Sequence, residues 1–85
     1  MFFSSKQYRL SINGPSEFLY SEGKRKALID AEVMLEPLDF VIYLDSFHSW
    51  LPPFDKDIIT NEDRLRIREN MSRDLEKKGL RVEWG

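Results

Sequence analysis

The segment from Asp39 to Asp55 constrains the fold of this 85-residue chain more than any other. It begins with the apolar run 40–44 and continues into an aromatic- and proline-rich stretch, residues 47–54. A strand that is apolar on both faces normally lies in the middle of a sheet and is covered by a helix. Pro52 and Pro53 fix φ and lack an amide proton, so the stretch predicts a stiff elbow after a central strand.

Alternation of apolar and polar residues predicts the other strands. It recurs in residues 6–13, 17–21, 24–34 and 80–84. Alanine and glutamate in the third stretch also permit a helix, but its period of two favours a strand. One face of this strand holds Ala27, Ile29, Ala31 and Val33, and the other holds Leu28, Asp30, Glu32 and Met34.

A helix is predicted to begin after Thr60 and to end before Gly79. Thr60 can cap the free amides of the first turn, with Asp63 completing only part of a capping-box pattern. The apolar residues that recur at helical spacing are Ile67, Met71 and Leu75, and Leu65 is expected to widen this buried stripe. The predicted fold is therefore α+β, as one domain over residues 1–85. It is an antiparallel meander sheet of four to five strands with one C-terminal helix packed on one face, in the order β-β-β-β-α-β.

The sequence offers little material for catalysis or metal binding. It contains no cysteine and one histidine, His48. One imidazole beside a carboxylate is a poor metal site, and no nucleophile-elbow pattern surrounds the serines. The spacing of the acids Asp30, Glu32, Asp45 and Asp55 does not single out a catalytic dyad. We therefore expect a protein without enzymatic activity, cofactor or metal. No apolar run is long enough to span a membrane and the N-terminus does not resemble a secretory signal, so we expect the protein to be soluble and cytoplasmic and to make no membrane contact.

Charge is unevenly distributed along the chain. Residues 36–63 hold seven acids and one lysine, or −6, although the whole chain carries only −2. An acidic region can attract a basic partner, but acids also collect in turns and at helix starts for local reasons. Basic clusters at 24–26 and at Arg64, Arg66 and Arg68 raise the alternative of nucleic-acid binding. The acidic pI of about 5.4 argues against nucleic acid as a partner, because an acidic chain repels phosphates.

The elbow permits two interpretations that the sequence leaves open. Its large rings can seal one end of the core, or they can form an exposed anchor for a protein partner. We expect a partner-binding face at this end of the molecule. Its residues are Asp45, His48, Trp50, Phe54, Asp55 and Asp57.

A set of residues in the second half of the chain forms a pattern typical of one protein family. These residues are Tyr43, Asp45, Ser46, Trp50, Pro52, Pro53, Asp55, Arg64, Ile67, Asn70, Leu75, Gly79, Val82 and Glu83. In them the chain resembles the immunity protein 74 family of bacterial polymorphic toxin systems, whereas the first half fits only in its strand-turn-strand character.

The resemblance implies a protein that binds a cognate protein toxin and blocks it without catalysis, and it carries no established toxin-contacting residues. An alternative is a self-associating or regulatory domain that forms a homodimer through the edge strand 80–84.

Overall fold

The computed structural model describes residues 7–85, so Lys6 of the predicted first strand lies outside the described residues. The element order β-β-β-β-α-β and the α+β class are confirmed. A 3₁₀ turn, Leu44–Ser46, follows the fourth strand, and the helix α1 spans Asn61–Lys77. The strands are β1 Tyr8–Ile12, β2 Glu17–Glu22, β3 Arg25–Val33, β4 Phe40–Tyr43 and β5 Val82–Trp84.

The sheet is mixed, which corrects the prediction of a purely antiparallel meander. Its strand order is β1-β2-β3-β4-β5, and the first three pairings are antiparallel. The last pairing, β4 with β5, is parallel. The helix crosses one face of the sheet between these two strands, and such a crossover returns the chain in its original direction.

The core lies between one face of the sheet and α1. On the sheet, the period of two places Phe18, Ile29 and Ile42 on this face, and all three are buried. The helix contributes Ile67, Met71 and Leu75, as its spacing predicted. Leu65 was predicted to widen this stripe, but its side chain is exposed. The polar residue Asn70 is buried on the helix instead, and it bonds to the sheet as described below.

A complete capping box fixes the start of α1. The Thr60 hydroxyl accepts a hydrogen bond from the Asp63 amide at 3.1 Å, and the Thr60 amide donates to the Asp63 carboxylate at 3.0 Å. Burial raises the pKa of Asp63, but hydrogen bonds from Thr60 and Arg66 outweigh it and hold that pKa below its ordinary value. The box therefore fixes the point at which the segment after the elbow enters the helix.

Thr60→Ala is expected to lower the free energy of unfolding by about 1 kcal/mol, because it removes the cap acceptor. Urea denaturation would measure this loss. Thr60→Ser keeps the hydroxyl and serves as the control. If both variants lost the same amount, the methyl group of Thr60 and not its cap would account for the effect.

Candidate protein-binding surfaces

The elbow is attached to β3 beyond the point where β4 ends. The Asp30 amide donates to the Ser46 hydroxyl at 3.0 Å, and the Leu51 amide donates to the Lys26 carbonyl at 2.8 Å. These two bonds take the place of ladder bonds that a longer β4 would have made. The elbow therefore lies at the end of the sheet where β4 finishes and α1 begins.

Trp50 belongs to the core. Its exposed fraction is only 3%, and its ring centroid lies 6.3 Å from that of the buried Phe47. The guanidinium of Arg64 lies 5.0 Å from the Phe47 ring centroid and donates to the Leu44 carbonyl at 3.0 Å. Of the two roles left open by the sequence, this placement gives Trp50 the sealing role.

The other five residues of the predicted face lie nearer the surface. Phe54 and Asp57 are brought together by Arg25, whose guanidinium lies 5.5 Å from the Phe54 ring centroid and 2.6 Å from the Asp57 carboxylate. Asp45, on the 3₁₀ turn, has a side chain that is 93% exposed and lies 4.0 Å from Arg64. His48 and Asp55 are both exposed. The structure thus provides an accessible surface here, with Trp50 beneath it.

Four of the seven acids in the segment 36–63 form ion pairs with arginines outside it. Asp57 pairs with Arg25, Asp45 with Arg64, Asp63 with Arg66 at 3.0 Å, and Asp39 with Arg81 at 3.7 Å. The same pairs occupy most of the arginines that had suggested nucleic-acid binding, and Arg68 lies 5.3 Å from the Trp84 ring centroid. The segment therefore presents less free negative charge than its composition indicates.

A second surface that holds several acids lies on the sheet face opposite α1, and none of its residues was in the binding face predicted from the sequence. We call it the uncovered sheet face. Strand pairing places Glu32, Val41 and Glu83 side by side across three strands, with Asp30 beside Tyr43 and Leu19 beside Leu28. Its acidic and apolar residues are Glu17, Leu19, Leu28, Asp30, Glu32, Val41, Tyr43 and Glu83, and Arg9, Ser11, Ser21 and Lys26 complete the face towards β1.

The carboxylates of this face are set apart by their grouping around apolar side chains, since other acids in residues 7–85, such as Asp55 and Glu76, also lack an ion pair. Within residues 7–85, none of Glu17, Asp30, Glu32 and Glu83 forms an ion pair with a lysine or arginine. Glu17 accepts a hydrogen bond from the Asn13 side chain at 2.8 Å, and Glu32 accepts one from the Tyr43 hydroxyl, which raises the pKa of Tyr43. The apolar side chains among them are only partly buried. Such a face combines apolar area with negative charge that has no internal counterion.

A buried polar network joins the sheet to the helix, and it too was missed from the sequence. The Glu22 carboxylate accepts hydrogen bonds from Arg66 at 2.7 and 2.9 Å and from the Tyr20 hydroxyl at 2.7 Å. Asn70 donates to that hydroxyl at 2.9 Å. Burial raises the pKa of Tyr20, and the bonds to Glu22 raise the pKa of Arg66. These groups satisfy one another inside the fold, which indicates a structural role.

Metal-binding clusters and membrane-spanning helices are both absent from the described part of the chain. Among the described residues, no group of three or more His, Cys, Asp or Glu side chains is arranged to hold a metal ion. No helix in residues 7–85 is long and apolar enough to cross a membrane.

A family model described as Immunity protein 74 matches residues 10–84. No curated protein and no solved structure matches the chain. The match extends over both halves of the chain, including the strands β2 and β3, for which the sequence had shown only a general likeness.

Proposed function

The chain belongs to the immunity protein 74 family, and we propose that it binds a cognate bacterial toxin and neutralises it without catalysing a reaction. An inhibitor of this kind needs a stable surface that is complementary to its partner and no reactive group of its own. We place its action in the cytoplasm, because a chain without cysteine suits a reducing compartment.

The observation that supports the proposal best is the uncovered sheet face. Its carboxylates have no internal counterion in the described part of the chain, whereas Glu22, Asp57 and Asp63 each pair with an arginine. Carboxylates grouped around partly exposed apolar side chains suit a basic protein partner, since complementary charge accelerates association and excludes wrong partners.

We propose that the elbow forms the border of the same binding surface. Asp45 follows Tyr43 by two residues, and Ser46 bonds to the Asp30 amide, so the start of the elbow adjoins the uncovered sheet face. Asp45, His48 and Asp55 are exposed there and Phe54 and Asp57 are partly exposed. Trp50 would contribute by supporting this surface from inside the core.

Co-expression with the product of the neighbouring gene, which we take as the candidate toxin, tests the proposed function. We expect the chain to restore growth to cells that produce the toxin and to co-purify with it in stoichiometric amounts. A chain that folds normally, yet neither protects the cells nor co-purifies with the toxin, would disprove the proposal.

His48→Ala and Asp55→Ala test the contribution of the elbow. Both side chains are exposed, so each change should alter the free energy of unfolding by no more than about 0.5 kcal/mol. Each is expected to weaken toxin binding a few-fold, as measured by isothermal titration calorimetry, because contacts at the rim of an interface contribute little individually. Glu76→Ala, on the exposed side of α1, is the control. If both elbow variants bound the toxin with unchanged affinity, the elbow would not be part of the binding surface.

A further inference from the structure

The hairpin formed by β3 and β4 extends beyond the β1–β2 part of the sheet. The last β3 residue that pairs with β2 is Asp30, whereas β3 continues to Val33. Beyond the end of the strand, the Met34 amide donates to the Asp39 carbonyl at 2.9 Å and closes the connecting turn. The end of the hairpin, residues 33–39, which we call the hairpin tip, therefore projects from one corner of the molecule.

The hairpin tip exposes three consecutive apolar residues. The exposed fractions of Val33, Met34 and Leu35 are 66%, 39% and 90%. A run of this kind is unfavourable on the surface of a small soluble domain unless it has a partner. Folding buries almost none of the Leu35 side chain, so this apolar group is available to another molecule.

The apolar tip is continuous with the acidic part of the uncovered sheet face. Leu28, Asp30 and Glu32 share one side of the hairpin because successive side chains of a strand alternate, and Met34 directly follows the end of β3 at Val33. They span roughly 20 Å at about 3.3 Å per residue. Along the hairpin, Leu28 is followed by the carboxylates of Asp30 and Glu32 and then by Met34, which is next to Leu35 in the sequence.

We propose that the β3–β4 hairpin is the part of this protein that enters its toxin, and that it occupies a basic cleft with an apolar depression at one end. The inference rests on the proposed function and specifies the chemistry of the partner surface. Lysine and arginine side chains of the cleft would pair with Asp30, Glu32 and Glu83, and the depression would receive Leu35. A second copy of this chain fits less well, because the same faces of two copies would bring like charges together.

The charge part of the proposal is tested with the double variant Asp30→Lys/Glu32→Lys and the purified toxin domain from the neighbouring gene. Its matched control is Glu69→Lys/Glu76→Lys, which makes the same change of charge on exposed positions of α1. By calorimetry we expect the hairpin variant to bind roughly tenfold or more weakly than wild type, and the control to bind within about twofold. The affinity of the wild type should also fall as salt is raised.

The apolar part is tested with Leu35→Ser and its control Leu65→Ser, an exposed leucine on α1. Neither side chain is packed in the core, so both variants should unfold at the same urea concentration as wild type. We expect Leu35→Ser to weaken toxin binding roughly tenfold, because an apolar anchor that fills a pocket dominates an interface. Leu65→Ser should bind as wild type does.

The outcomes of these experiments distinguish failure of the hairpin proposal from failure of the proposed function. If the wild type binds the toxin and both hairpin variants bind equally well, the hairpin proposal is overturned while the proposed function stands. If the hairpin variants change only the sedimentation of the free protein, the face is a contact between copies of this chain and the proposal fails. If the folded wild type does not bind the toxin, the proposed function fails and the hairpin proposal fails with it.

Discussion

The Arg66→Met variant is expected to lose about 3 kcal/mol of its free energy of unfolding, because the change removes the guanidinium that pairs with a buried carboxylate. Glu22 is only 4% exposed, and Arg66 donates two hydrogen bonds to it. Arg66 also bonds to Asp63 at 3.0 Å, so the variant weakens the helix start as well. Domains of this size are stable by roughly 5–15 kcal/mol, and the loss should be obvious in urea denaturation.

Arg68→Met is the matched control for this prediction. Arg68 lies two positions further along α1, is exposed and interacts with the Trp84 ring, so its replacement should cost about 1 kcal/mol or less. The double variant Glu22→Gln/Arg66→Met should recover part of the loss, because it removes the buried charge together with its partner. Equal losses in the two single variants would show that the Glu22–Arg66 pair has no special structural role.

The Trp50→Ala variant is expected to lose about 3–5 kcal/mol of its free energy of unfolding, because it leaves a large cavity in the core. Trp50 is almost fully buried, next to Phe47. Trp50→Phe should lose less, since a second ring fills part of the same space. Urea denaturation followed by circular dichroism would measure both losses without relying on tryptophan fluorescence.

Measuring toxin binding by the same variants shows whether Trp50 supports the binding surface from inside the core or contacts the toxin directly. Where Trp50→Phe is fully folded, it should bind the toxin nearly as well as wild type, because its side chain lies beneath the surface. A Trp50→Ala variant that kept wild-type stability but lost toxin binding would contradict the core placement of this residue.

Periodicity predicted the secondary structure of the protein well, because the elements themselves are regular. The alternation in 24–34 identified β3, and the spacing of Ile67, Met71 and Leu75 identified the buried side of α1. Strand direction is not encoded in periodicity. The parallel pairing of β5 follows from the helical crossover, which becomes evident only when the helix is placed on the sheet.

The candidate surfaces were predicted less completely, for two physical reasons. Counting charge along the chain could not show that Asp57 is neutralised by Arg25, which is 32 residues away in sequence. The elbow is also irregular, so no periodicity could separate a buried Trp50 from an exposed one. The alternation of Asp30 and Glu32 with buried residues was visible in the sequence, but recognising them as part of an acidic face required the pairing with Tyr43 and Val41.

Hydrogen exchange of the free chain and of its complex with the toxin domain tests the central claim most directly. We propose that the protein neutralises a toxin by binding it through the β3–β4 hairpin. In the free chain, the amides of Leu35 and Glu36 make no hydrogen bond within residues 7–85, so they should exchange rapidly. The account predicts that toxin binding slows the exchange of these amides while the exposed side of α1 is unaffected. A stable complex in which the hairpin tip exchanges as fast as in the free protein would contradict it.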